Sequence, residues 1–213
     1  FETGRLTSPQ WQGADVPYAT AVRDVANALA GSTQATALLL SPALTNEDAS
    51  AIIEFLRPRT SRLVVAIGGR PDGITDAILR RADRNGNRAG VAQVLTAARI
   101  EPIPVDALRS AVLSGELPTF VITGEDITDP AGIEAAIQVA RLSVAFACIA
   151  PTWAERVMHL FPLTSPLETA GTVCNEDGIV QSLNAALTAP AEARTLRAIR
   201  SDIEAAISAG EVP

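Results

Sequence analysis

Short apolar runs alternate along this chain with longer segments whose apolar residues recur every three or four positions. The runs at 37–40, 62–67, 119–123 and 142–149 are almost wholly apolar. Such runs suit strands buried on both faces of a parallel sheet rather than half-exposed antiparallel ones. Between them lie helical patterns. Val22, Val25, Ala26 and Leu29 mark a helix over 19–30 closed by Gly31. Thr45 followed by Asn46, Glu47 and Asp48 reads as an N-cap and first turn, since a side-chain oxygen and acidic residues both favour that end of a helix. That helix runs to Leu56 and stops before Pro58. Further helices are expected over 90–98, over 105–113 with Gly115 beyond it, over 130–141 with Pro130 in its first turn, and over 192–209. Residues 72–82 read as a short helix or turn, 84–88 as a loop, 152–157 as a short helix and 159–162 as a short extended piece.

The alternation predicts one α/β domain over 1–213, a doubly wound, mostly parallel sheet with helices on both faces. An irregular arm (1–18) precedes the α/β core (19–162). A long irregular segment (163–189) precedes the terminal helix (190–213).

Composition narrows the chemistry. The chain has 213 residues, ample for a full core, and a net charge of −7. An acidic chain lacks the basic face that nucleic acid or an anionic membrane requires. All 17 basic residues are Arg, so neither a Schiff-base lysine nor a phosphate-loop lysine is available. The two cysteines, Cys148 and Cys174, are too few for an iron–sulfur cluster and point to a reducing compartment. With His159 as the single histidine, no metal site is expected. Cys148 falls in an apolar run and is expected to be buried and unreactive; Cys174 falls in the irregular segment and is expected to react faster. No apolar run spans a bilayer, and no basic-then-apolar leader opens the chain. The start at Phe1 fits a processed chain or a fragment.

Two glycine turns are the candidate ligand loops. Gly68 and Gly69 open Gly68-Gly69-Arg70-Pro71-Asp72-Gly73 after the second strand, where backbone amides can cradle a phosphate. Gly124, with Glu125 and Asp126, follows the third, where a carboxylate can hold a ribose hydroxyl. Neither is a dinucleotide fingerprint, and simple turns explain both. No nucleophile elbow is present, and His159 on an apolar stretch reads as structural. The residues alone show no catalytic site.

Several patches in order resemble the molybdopterin-oxidoreductase family, in particular the large iron–sulfur subunit of bacterial NADH:quinone oxidoreductase (complex I). They are residues 1–5 (FETGR), the arm and helix at 6–12 and 19–29, residues 37–49 (ALLLSPALTNEDA), residues 82–90 (ADRNGNRAG) and residues 111–126. The most specific patch comprises Glu168, Gly171, Thr172, Asn175, Gly178 and Gln181, with Pro162 preceding it. The departures are Asp177-Gly178-Ile179 where the family has Glu-Gly-Arg, and a middle too short to enclose a bis-pterin cofactor. The resemblance implies a member reduced to a scaffold: a non-catalytic, cytoplasmic domain of such a complex, peripheral to the inner membrane through the complex. It implies no cofactor in this chain, with iron–sulfur clusters and FMN in partner chains or an upstream domain, and other subunits as partners. The alternatives are a reduced molybdopterin- or nucleotide-dependent oxidoreductase, or a free nucleotide-binding regulatory module. The segment at 168–181 is expected to pack across the helices or against a partner, its polar side chains satisfying loop backbone.

Overall fold

The computed structural model describes residues 4–30, 33–78, 80–125, 127 and 129–210. The four apolar runs form strands β3 (Thr36–Leu40), β4 (Leu63–Ile67), β5 (Thr119–Thr123) and β6 (Leu142–Ala147). A fifth parallel strand, β7 (His159–Pro162), pairs with β6. Two short strands, β1 (Gln10–Trp11) and β2 (Ala14–Asp15), complete a seven-stranded sheet ordered β2-β1-β7-β6-β5-β3-β4, with β1 antiparallel to β7.

Each strand feeds two cores by its two-residue alternation. Leu38, Leu40, Val121, Val144 and Phe146 face one side, under α1 (Tyr18–Ala30), α2 (Asn46–Leu56), α3 (Arg88–Ala97) and α6 (Leu196–Ser208). Ala37, Leu39, Phe120, Ile122 and Ala145 face the other, under α4 (Val105–Leu113) and α5 (Pro130–Val139). The architecture is a doubly wound α/β fold, as the runs predict. Few aromatics contribute; Phe146 stacks on Phe161 at 5.5 Å between ring centroids. Among the described residues no helix is long and apolar enough to cross a membrane.

Thr45 caps α2 as its position predicts, accepting from the Asp48 amide at 3.2 Å. Asp129 caps α5 in the same way, ahead of Pro130.

Several expectations require correction. The arm is not irregular throughout: β1 and β2 form a hairpin around Gln12 and Gly13, both at positive φ (49° and 80°), the geometry that a two-residue turn between twisted strands demands. Of the two readings of 72–82, short helix or turn, the described residues show the turn: Gly73 and Asp76 bond to the carbonyls of Ala82 and Arg80, closing a loop. The segment 163–189 contains a second sheet, β8 (Gly171–Cys174) antiparallel to β9 (Val180–Leu183). The terminal helix begins at Leu196, where the Thr195 hydroxyl accepts from the Ala198 amide. Strand β6 ends at Ala147, so Cys148 lies just beyond it, and 152–157 holds only a 3-10 turn at Ala154–Arg156. Gly31 and Asp126 lie outside the described residues.

Candidate functional site

The strand order places β3 beside β5, while β4 lies on the far side of β3. The chain leaving β3 therefore turns one way and that leaving β5 the other. The crevice between their carboxyl ends is where ligands enter open α/β sheets. Its floor is Ser41, Leu44 and Thr45 after β3, Gly124 and Glu125 after β5, and Cys148 after β6. Its roof is the chain's own C-terminal segment: Leu163, Thr164, Pro166 and Thr169, with Leu183 of β9 and Leu196 of α6. What remains is a cavity of about 70 Å³, far below the roughly 300 Å³ at which small-molecule sites begin.

The glycine loops at this edge are packed against the protein itself. Gly124 has φ +80°, its amide donates to the Phe146 carbonyl at 2.7 Å, and an added Cβ would stand 2.6 Å from the Ser41 side chain. Gly69 has φ +95°, and an added Cβ would collide with Pro42 and Asn85. Gly68 donates to the Leu40 carbonyl at 2.9 Å. Asn85 closes the Gly69 turn, accepting from the Arg70 amide at 2.8 Å and donating to the Arg70 carbonyl at 3.0 Å. Backbone approach, rather than an open phosphate cradle, accounts for these glycines. Glu125 accepts from the Cys148 amide at 3.1 Å and so bridges the ends of β5 and β6.

Three of the sequence patches, 37–49, 82–90 and the one at 168–181, meet at the roof. Glu47, in the first turn of α2, accepts both the Thr172 amide (2.8 Å) and the Thr172 hydroxyl (2.7 Å). Asn46 donates to that same hydroxyl at 3.1 Å. Asn87, 1% exposed, accepts the Cys174 amide at 2.6 Å and donates to the Leu44 carbonyl and to Asn46. Gly171 fits because a Cβ there would press on Glu47 and Thr45. Strand β8 is thus bonded to the starts of α2 and α3. Beyond it, Asn175 closes the β8–β9 turn, its side chain accepting from the Ile179 amide at 2.8 Å, with Gly178 at φ +82°. Gln181 is exposed on β9 and takes no part in the crevice.

Glu168 reaches the first patch. It pairs with Arg5 at 2.6 Å, both side chains under 10% exposed (6% and 8%). Arg5 also donates to the Cys148 and Leu163 carbonyls at 2.8 Å and contacts the Cys148 sulfur. One guanidinium so joins the arm, the end of β6 and the segment after β7. Phe1, Glu2 and Thr3 lie outside the described residues.

Electrostatics at this edge are those of a closed site. Burial pushes the Cys148 thiol up to about 11, with Arg5 opposing and Glu125 and Glu168 reinforcing the shift. Burial also raises Glu47, but its Thr172 bonds, its own backbone and Arg197 outweigh that and hold it below the ordinary carboxylate value. The expected order of thiol exposure is reversed: Cys148 is half-buried, whereas Cys174 is 1% exposed, because Asn87 draws β8 inward. His159 is buried in β7, and burial lowers its pKa against a weaker pull from Asp24.

A wider surface hollow of about 470 Å³ lies over Gly73, Ile74, Arg80, Arg81 and Arg84. Arg81 there is already paired with Asp177 at 3.1 Å. Among the described residues no cluster of three His, Cys, Asp or Glu side chains is placed to hold a metal ion. Arg5, Asn46, Glu47 and Asn87 stand inside longer sequence patches that assign them no role of their own. The signal for them is the order of the patches, since each patch supplies one partner of a long-range bond. Compared with known proteins, the chain matches no family model and none of the curated proteins.

Proposed function

We propose that this chain is a non-catalytic structural domain of an NADH:quinone oxidoreductase-type electron-transfer complex, a reduced relative of the molybdopterin oxidoreductases. Iron–sulfur clusters and FMN belong to partner chains or to an upstream domain, and the cytoplasmic complex supplies the other subunits as partners. One observation carries this reading: the crevice where an α/β sheet takes its ligand is roofed by the chain's own segment and reduced to about 70 Å³. Several of the residues in the resembling patches serve that roof. Glu47, Asn87 and Arg5 spend their hydrogen-bonding groups on Thr172, Cys174 and Glu168. A pterin or nucleotide would have to displace them.

The test is purification from the source cell under native conditions, followed by metal analysis, pterin fluorescence and identification of associated chains. Association with iron–sulfur and flavin subunits, without stoichiometric molybdenum, tungsten, pterin or nucleotide on this chain, is expected. Stoichiometric pterin or nucleotide on the isolated chain overturns the reading in favour of a ligand-dependent oxidoreductase or regulatory module.

A further inference from the structure

The two edges of the small sheet are treated differently. On β8 the Thr172 and Cys174 amides point away from β9 and are taken by the Glu47 and Asn87 side chains. That edge is closed. In the β8–β9 register, Thr172 faces Ser182 and Cys174 faces Val180. Residues opposite each other in an antiparallel ladder direct their backbone groups alike, both inward or both outward. The N–H and C=O groups of Val180 and Ser182 therefore point outward from β9, the last strand of its sheet.

Nothing on β9 discourages pairing. Natural edge strands are blunted by charge, proline or bulges. Residues 178–191 contain no charged residue, in a chain that is 19% charged. Val180 is 56% exposed, and Ile179 beside it is 58% exposed.

We infer that β9 pairs with β9 of a second copy of this chain, antiparallel about a twofold axis through Gln181, joining two hairpins into a four-stranded sheet. The strand fits itself. The axis sets Val180 opposite Ser182 of the other copy in both halves, so the four outward groups of each chain exchange bonds. About that axis residues 178–184 of one copy face 184–178 of the other, a stretch without charge, so no like charges are opposed within the pairing. A twofold contact of this kind is closed and adds no third copy. Its small area makes it a weak dimer, which forms as concentration rises. The inference is independent of the proposed function.

Sedimentation velocity from about 10 μM to about 1 mM spans the range for an association of this size. The expected result is a monomer that becomes a dimer, with hydrogen exchange at the Val180 and Ser182 amides slowing in parallel. Ser182→Pro removes one outward donor and leaves the β8 ladder intact. Val180→Lys places an edge charge on an exposed position. Each should abolish the dimer while far-ultraviolet circular dichroism and thermal melting stay unchanged; should Ser182→Pro fail to fold, Val180→Lys carries the test. A monomer at every concentration, or a dimer that persists in the folded variants, overturns the inference.

Discussion

The Asn87 side chain accepts the Cys174 amide across 87 positions of sequence, at 2.6 Å, from a site 1% exposed to solvent. Its amide group meanwhile donates to the Leu44 carbonyl at 2.8 Å and to Asn46 at 2.9 Å. Three elements are therefore tied by one side chain: the start of α2, the start of α3 and strand β8.

Asn87→Ala is expected to destabilise the fold by about 3 kcal/mol, because a buried amide and a buried carbonyl lose their partners together. Asn175→Ala should cost only about 0.5–1 kcal/mol: its bond to Ile179 lies in an exposed turn where water replaces the lost acceptor. Urea unfolding of both variants checks the difference, and equal losses would contradict it.

Those two asparagines mark how far the sequence could be read. Uniformly apolar runs specified β3 to β6, and Thr45 announced α2, because burial on both faces and a cap leave local signatures. The second sheet left almost none. In β8 only Cys174 is buried, and Val180 to Ser182 are all exposed, so β9 shows no alternation of buried and exposed positions. The Asp177-Gly178 turn was its only local sign. Asn87 likewise reads as one more loop residue until β8 arrives from far along the chain. Residues 72–82 left a short helix and a turn both open, and the turn is what forms. Ile74 and Ile78 have helical spacing yet stand 83% and 86% exposed, since Asp76 caps the Ile78 and Arg80 amides in a turn instead. The crevice could be located from strand order, but its roof could not.

The Glu47 carboxylate gives the fold a pH dependence. Its pKa is lowered in the folded state, so its contribution is present above the unfolded value of about 4.5 and is lost as pH falls through the lower folded value. Wild-type stability should therefore fall in that acidic window, and Glu47→Gln should be less stable at neutral pH while losing part of that acid sensitivity. Thermal melts from neutral pH into that window measure it; identical slopes for both proteins would sink the assignment.

Thiol chemistry should follow burial rather than sequence context. With its pKa near 11, Cys148 carries thiolate at only about one part in a thousand at pH 8. Native protein should react slowly with an aromatic disulfide reagent at Cys148, and more slowly still at Cys174, until denaturant is added. Cys148→Ser should remove the earlier of the two phases. A rapid stoichiometric reaction at Cys174 would mean that β8 is not held against Asn87.

Arg5 and Glu168 provide the sharpest test of the closed edge. Both side chains are buried, and Arg5 also serves the Cys148 and Leu163 carbonyls, so its charge and its donors are engaged at once. Removing one member leaves the other charged and desolvated, which costs about 3–5 kcal/mol in comparable buried pairs. Arg5→Ala should lie in that range. Glu168→Gln should cost less, because the amide oxygen can still accept from Arg5 and from the Ser165 amide, now bonded at 2.8 Å. The double variant Arg5→Met, Glu168→Leu removes both charges together and should recover much of the Arg5→Ala loss, giving a coupling energy that a double-mutant cycle reads directly. Because Arg5 joins the arm to the segment after β7, the single variant should also speed hydrogen exchange at the Leu6 and Ala150 amides, which bond the arm to the end of β6. Additive losses with unchanged exchange would show that the roof stands without this pair.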